Sequence, residues 1–175
     1  MINKVCIDPG HGGADNGAAY GYAEEDDLNL SIAYLLRCEL EKLHLAVVMT
    51  READEHVGLS DRALLANLDA ADLFVSIHCD AFHVAAASGI STHIHTKADG
   101  TTKMLAGYVH RAIMDAFPDH KDRGVRRSNF YVLRKTLMPA MLIECEFLSN
   151  PDTRRFLREP ENQLAMAQAI ANGIG

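Results

Sequence analysis

Short apolar segments alternate with longer amphipathic ones along most of the chain. The apolar segments have the length and composition of buried β-strands. Six strands are predicted, at Asn3–Asp8, Leu45–Thr50, Leu73–Cys79, Gly89–Thr96, Asn129–Leu133 and Ala140–Cys145. Strands that alternate with helices join into a mostly parallel sheet with helices on both faces. The pattern therefore predicts one α/β domain that spans residues 1–175.

Helices are predicted between these strands and after the last one. From Asp27 to Leu43 the apolar residues recur at i, i+4 and i+7, which places them on one face of a helix. Further helices are predicted at Leu59–Ala70, Thr101–Phe117 and Glu161–Asn172. The segment Asn150-Pro151-Asp152 has the N-cap residue, the proline and the first-turn acid that begin another helix.

Composition and charge narrow the class of protein. The 175 residues are 48% hydrophobic and 23% charged, as in a globular domain. The net charge of -7 argues against nucleic acid as a partner. No apolar run approaches the roughly 18 residues of a membrane span, and no signal peptide is visible at the N-terminus. The four cysteines lie far apart without a CxxC pair, so we expect reduced thiols and folding in the cytoplasm.

Polar side chains stand where three of the predicted strands end, and a fourth precedes the first helix. His11 follows the first strand, His78 and Glu144 end two later ones, and Glu25 stands before the first helix. The carboxyl ends of parallel strands form the functional crevice of such folds. Structural alternatives exist, because a lone histidine is often a hydrogen-bonded core residue and Glu25 suits the positive end of a helix. Glu144 is the strongest signal, since a carboxylate in an apolar strand is costly without a partner.

Two histidines and one carboxylate form the ligand set that holds catalytic zinc and leaves a position open for water. We predict His11, Glu25 and His78 as ligands of Zn²⁺, and Glu144 as the catalytic residue that moves protons. The glycines around His11 let the backbone approach such a site. The same ligands also suit Fe(II), Mn(II) or Co(II).

Four longer motifs occur in order along the chain: IDPGHGGADNGA from Ile7, EDDLNL from Glu25, SIHCDA from Ser76 and MPAMLIECEFLSN from Met138. TREAD, the Leu59–Arg62 pair and RGV stand between them, also in order. Together these motifs resemble the zinc-dependent N-acetylmuramoyl-L-alanine amidases of the amidase 3 family. In the family the corresponding segment reads EKxxNL. By this resemblance, the spacing to Asn29 identifies Glu25, rather than Glu24, as the matching glutamate. The resemblance covers nearly the whole chain.

The resemblance implies a twisted, mostly parallel six-stranded sheet and hydrolysis of the amide between the lactyl group of N-acetylmuramic acid and L-alanine in peptidoglycan. It fits a phage or prophage endolysin, or an isolated catalytic domain. An endolysin is held in the cytoplasm until its release to the cell wall; a trimmed signal or wall-binding module would instead place the enzyme in the periplasm or outside the cell. We expect a monomer.

Substrate contacts are expected from Asn16, Arg62, Asp80, His83 and Arg123. A basic cluster formed by Lys121, Arg123, Arg126 and Arg127 is either a solvated loop or a contact for an anionic substrate. Some relatives carry a long helix that blocks the metal between the second histidine and the next strand. Here the interval Phe82–Ser88 is too short for one, so we expect no obligatory activator protein.

Two residues depart from the family pattern. Cys79 replaces a small residue, and strand alternation points its thiol away from His78. Glu146 stands where the family usually has glycine, and alternation predicts that it shares a face with Glu144 and changes a pKa there. His93 and His95 are interpreted as a half-exposed strand face rather than a second metal pair. His44, His56, His110 and His120 are expected at the surface or at helix ends.

Two other functions stay open at this stage. A module that binds the wall without turnover would have no reason to retain Glu144. A different zinc hydrolase, such as a deacetylase or a peptidase, is the second alternative, although the chain has no HExxH motif of thermolysin-like proteases.

Overall fold

The computed structural model describes residues 2–175, which form eight strands and six helices. The strands are β1 (Lys4–Pro9), β2 (Ala19–Tyr20), β3 (Ala23–Glu24), β4 (Ala46–Met49), β5 (Leu73–Asp80), β6 (Ile90–His95), β7 (Asp122–Ser128) and β8 (Ala140–Phe147). The helices are α1 (Glu25–Lys42), α2 (Leu59–Leu68), α3 (Gly100–Ala116), α4 (Tyr131–Lys135), α5 (Pro151–Arg158) and α6 (Pro160–Ile174). Residue 1, where the predicted domain begins, lies outside the described residues.

Six of the strands form one sheet in the order β4-β1-β5-β8-β6-β7, and β2 and β3 form a separate hairpin. Neighbouring strands of the large sheet run parallel, except that β6 runs antiparallel to β8. The predicted six-stranded, mostly parallel α/β sheet is confirmed. Because β1, β5 and β8 are parallel neighbours at its centre, their carboxyl ends meet at one edge.

Helices cover both faces of this sheet. On one face, α1, α3, α5 and α6 pack against the larger cluster of buried apolar side chains, which includes Cys79 and Cys145. On the other face, α2 and α4 cover a smaller cluster around Phe74 and Leu142. Side chains alternate between the faces along each strand. Cys79 therefore points away from His78, as predicted.

One predicted strand is wrong. The segment Asn129–Leu133 is not a strand: its second half belongs to the short helix α4, where Val132 and Leu133 are buried against the smaller core. The sixth strand is β7, which precedes this segment and lies at the edge of the sheet beside β6. An edge strand is exposed on one side, so its sequence, DRGVRRS, lacks the apolar run on which the prediction depended.

The predicted helices are confirmed with shifts of one or two residues at most ends. The Asn150 side chain caps α5 by accepting from the backbone N–H groups of Asp152 and Thr153, and Pro151 is the first helical residue. Between β5 and β6 the described residues form no helix. Within residues 2–175, no helix combines the length and the apolar character that crossing a membrane requires.

Candidate metal centre

His11 lies in a tight loop directly after β1, in a backbone conformation that residues other than glycine rarely adopt. Its φ of 62° falls in the left-handed region. Arg62 of α2 stabilises this loop by donating from Nη2 to the carbonyl oxygen of His11 at 2.6 Å. Asp15 lies 3.0 Å from His11 Nδ1. A carboxylate on the outer nitrogen leaves Nε2 oriented as a ligand atom, which is typical of metal-binding histidines.

Glu25 is the first residue of α1 and points back toward the loop that holds His11. Its Oε2 accepts a hydrogen bond from Ala18 N at 2.9 Å, and its Oε1 accepts one from Cys79 N at 3.2 Å. The Asn29 side chain, one turn further along α1, donates to the Gly10 carbonyl at 3.3 Å. These contacts fix a buried carboxylate beside the ends of β1 and β5.

His78 stands on β5, in parallel register with Glu144 on β8. The imidazole lies directly against the backbone of Gly10: a Cβ at that position would lie 2.2 Å from His78 Cε1. A glycine is therefore required at position 10 for the ring to occupy this place. The ring centres of His11 and His78 are 5.1 Å apart, in an edge-to-face arrangement.

Three side chains converge on one point. His11 Nε2 and His78 Nδ1 lie 3.3 and 3.0 Å from Glu25 Oε1, and the candidate ligand atoms of the three residues all lie within 4.8 Å of one another. The carboxylate raises the pKa of His11 to about 9. Burial raises the pKa of Glu25, but the hydrogen bonds from His11 and His78 outweigh it and hold that pKa well below its ordinary value. This donor set fits a divalent metal ion.

Glu144 lines one cavity together with His11 and His78, and one of its oxygens has no partner among the described residues. Its Oε2 is buried and accepts no hydrogen bond from any described residue. Burial, together with the charges of Asp80 and Glu25, raises the pKa of Glu144 well above its ordinary value. A buried carboxylate with an unused oxygen and a raised pKa is suited to take up and release a proton.

A cavity of about 530 Å³ opens onto these residues. His11, His78 and Glu144 lie on one side of it. The rest of its lining is largely apolar and aromatic and comes from the loop before α2, from α2 and α4 and from β8. These apolar and aromatic lining residues are Val57, Leu59, Phe130, Tyr131, Val132 and Leu142. The sequence prediction missed this lining, because its residues come from segments that read as loop or core.

A buried ion pair supports the loop beneath the metal centre. Asp8 and Arg62 are 1% and 3% exposed, and Arg62 Nη1 lies 2.9 Å from Asp8 Oδ1. Thr50 and Ser76 donate their hydroxyl groups to the two oxygens of Asp8 at 2.6 and 2.7 Å. Arg51 is also buried and donates to the carbonyl oxygens of Pro9 and Gly10. Sequence patterns gave no sign that these polar residues are buried together.

The predicted substrate contacts fall in different places. Arg62 borders the large cavity, but its donors are used by Asp8 and by backbone carbonyls. Asp80 and Arg123 line a second cavity of about 440 Å³. Asn16 and His83 line neither cavity, and His83 is exposed and packs against the Phe82 ring.

The prediction that Glu146 shares a face with Glu144 is wrong. The pairing of β5 and β8 shifts register after His78 and Glu144, so simple alternation ends there. Glu146 is fully buried and accepts from Gly89 N, while its other oxygen contacts His120 Nδ1 at 2.9 Å.

One further histidine prediction needs correction. His110 is buried rather than superficial, with Thr92 and Asp122 as hydrogen-bond partners, because its side chain packs between α3 and the sheet. His120 follows the end of α3 by a few residues and is half-buried against Phe156.

Comparison with known proteins identifies relatives of this arrangement. The model of the N-acetylmuramoyl-L-alanine amidase family, Amidase_3, matches residues 5–175. The chain is 36% identical over 179 residues to the endolysin of Bacillus phage SPP1, covering 99% of this chain and 65% of the endolysin. It spans about two thirds of the length of several curated relatives.

Solved structures show the same fold. An N-acetylmuramoyl-L-alanine amidase from Clostridium difficile 630 superimposes with a TM-score of 0.95 at 40% identity, over 99% of this chain and 95% of that one. The CwlD amidase from Clostridioides difficile, solved in complex with the GerS lipoprotein, superimposes with a TM-score of 0.93 at 29% identity, over 98% and 96%.

Proposed function

The chain belongs to the N-acetylmuramoyl-L-alanine amidase family, and we propose that it hydrolyses the amide between the lactyl group of N-acetylmuramic acid and L-alanine in peptidoglycan. One observation carries the proposal: two imidazoles and a carboxylate converge within 4.8 Å beside a carboxylate that has no partner. A site that only bound the wall would need no such carboxylate.

His11, Glu25 and His78 are proposed to hold a zinc ion. Zinc bound there supplies Lewis acidity, which polarises the amide carbonyl and lowers the pKa of a water toward about 7. Nitrogen and carboxylate donors suit zinc, and amide hydrolysis requires no change of oxidation state. The network around Asp15, Asn29 and Arg62 keeps the three donors in place before substrate arrives.

Glu144 is the proposed catalytic residue. Its free Oε2 takes a proton from the attacking water and gives it to the nitrogen of L-alanine as the amide bond breaks. The raised pKa of Glu144 favours this cycle, because the carboxyl group can carry the proton between the two steps. The low exposure of Oε2 keeps bulk water from competing for the proton.

The relatives of the chain and the open candidate metal centre support a proposal about where the enzyme acts and whether it needs an activator. We propose that it acts on the cell wall as a monomer, in the manner of an endolysin or a wall-remodelling amidase. The loop between β5 and β6 forms no helix over the metal centre, which supports activity without an obligatory activator. A second protein that strongly stimulated the purified enzyme would refute this last point.

Digestion of purified peptidoglycan tests the proposed reaction. The zinc-loaded protein and a chelated sample are incubated with the polymer, and the soluble products are identified by mass spectrometry. We expect stem peptides with a free L-alanine amino group from the zinc-loaded protein alone. Release of acetate would instead indicate a deacetylase, and binding without any product would indicate a wall-binding module.

A further inference from the structure

The second cavity lies next to the candidate metal centre along the same strands. Asp80 follows His78 by two residues on β5 and is paired with Phe147, which follows Glu144 by three residues on β8. Both residues line the cavity of about 440 Å³, together with Arg123 and Arg126 of β7 and an apolar rim of Phe82, Val84, Ala86 and Ala87. A substrate held at the metal centre can therefore extend into this cavity.

Two guanidinium groups in the cavity are positioned with their terminal nitrogens free. Arg123 donates from Nε to the Ser88 carbonyl at 2.7 Å, and its guanidinium lies 4.4 Å from the centre of the Phe147 ring. Arg126 donates from Nε to the Arg123 carbonyl at 3.2 Å. Among residues 2–175, neither arginine pairs with a carboxylate, and the hydrogen bonds that they donate come from Nε rather than from the Nη atoms.

The charge of this cavity contrasts with that of the chain. The whole sequence carries -7, whereas the lining of the cavity holds two arginines and one carboxylate, Asp80. Planar guanidinium groups with free terminal nitrogens recognise carboxylates by paired hydrogen bonds.

The two cavities differ in the part of a muropeptide that they suit. The large cavity offers aromatic and aliphatic walls at Leu59, Phe130 and Tyr131, which suit the uncharged sugar. The second cavity offers positive charge, which suits the peptide side of the scissile amide. Resting on the proposed function, we infer that the second cavity binds a carboxylate on the residue that follows L-alanine. Arg126, together with Arg123, then makes the enzyme prefer that residue as the free acid over its amide.

Two soluble muramyl peptides test this inference, identical except that the residue after L-alanine carries either a carboxylate or a carboxamide. We expect the parent to cleave the acid with the lower KM. Arg126→Gln raises the KM for the acid about tenfold, the scale of a charge-assisted hydrogen bond, and leaves its kcat and both constants for the amide within about twofold. Arg127→Gln is the matched control, because Arg127 lies on the same strand but bonds to the Thr96 carbonyl outside the cavity.

Each outcome decides between the two proposals. A selective loss with the acid substrate in Arg126→Gln, absent in Arg127→Gln, supports the inference. Equal loss on both substrates, or no loss, overturns it while the proposed amidase function stands. If the zinc-loaded parent cleaves neither peptide nor the polymer, the proposed function fails and this inference fails with it.

Discussion

Removing the Arg62 side chain should destabilise the protein strongly, although this residue is not proposed to react. Arg62→Ala leaves the carboxylate of Asp8 buried without its guanidinium partner. It also removes the donors to the carbonyl oxygens of Val57, Pro9 and His11, which lie 2.6 to 2.8 Å from Arg62 nitrogens.

The size of the effect follows from the burial of the pair. Breaking a buried ion pair from one side costs about 3–5 kcal/mol. Thr50 and Ser76 still donate to Asp8, so we expect the lower end, about 3 kcal/mol in the free energy of unfolding. For a chain of this size each kcal/mol shifts Tm by about 2–4 °C, which gives a decrease of about 6–12 °C.

Urea denaturation at pH 7 measures this change. Arg111→Ala is the matched control, because Arg111 is exposed and pairs loosely with Asp115 at 3.7 Å; its removal should cost less than about 0.5 kcal/mol. Asp8→Asn in the Arg62→Ala background should restore part of the loss, since it removes the uncompensated charge. The reasoning is refuted if Arg62→Ala costs no more than Arg111→Ala.

Three further changes test the metal centre and its surroundings. Gly10→Ala should displace His78 and lower zinc affinity, measured by calorimetry, at least about tenfold. Gly107→Ala is its control: nothing lies within 4 Å of the added Cβ, so this change should stabilise α3 by up to about 1 kcal/mol. Equal zinc affinities of Gly10→Ala and the parent would contradict this expectation. Zinc at about 100 times its Kd should raise Tm by about 5–10 °C in the parent, but not in His78→Ala. Burial lowers the pKa of His93 from 6.5 to about 4, so the stability that depends on its neutral form is complete above about pH 6.5 and is lost as the pH falls toward 4. Unfolding by urea at pH 7 and pH 4.5 should show a smaller loss in His93→Gln than in the parent, and parallel losses would exclude this role for His93.

Much of the fold could be predicted because the central strands are buried on both faces. β1, β5 and β8 read as continuous apolar runs, and their ends locate His11, His78 and Glu144 at one edge. The edge strand β7 could not be predicted from its composition, because solvent on one side removes the need for apolar residues. The segment that follows it, Asn129–Leu133, is apolar because Val132 and Leu133 of α4 pack in the smaller core, and a short apolar run does not distinguish a strand from a buried helix.

Only part of the candidate site could likewise be predicted from the sequence. The place of Glu144 in the candidate site could be predicted from the sequence, since a carboxylate in an apolar strand is costly without a partner. The contacts of Asp8 with Arg62 depend on residues 54 positions apart, and no local pattern encodes such a contact. Glu146 was misplaced because a shift in strand register interrupts alternation, and this shift depends on the neighbouring strand rather than on local sequence.

The central claim is that Glu144 moves the proton beside a metal held by His11, Glu25 and His78. The most direct measurement compares the parent with Glu144→Gln for zinc content and for peptide released from peptidoglycan under the same conditions. We predict the same zinc stoichiometry in both proteins, with release by the variant reduced at least about a hundredfold, the scale of general acid–base catalysis. Release by zinc-loaded Glu144→Gln at the rate of the parent would contradict the account.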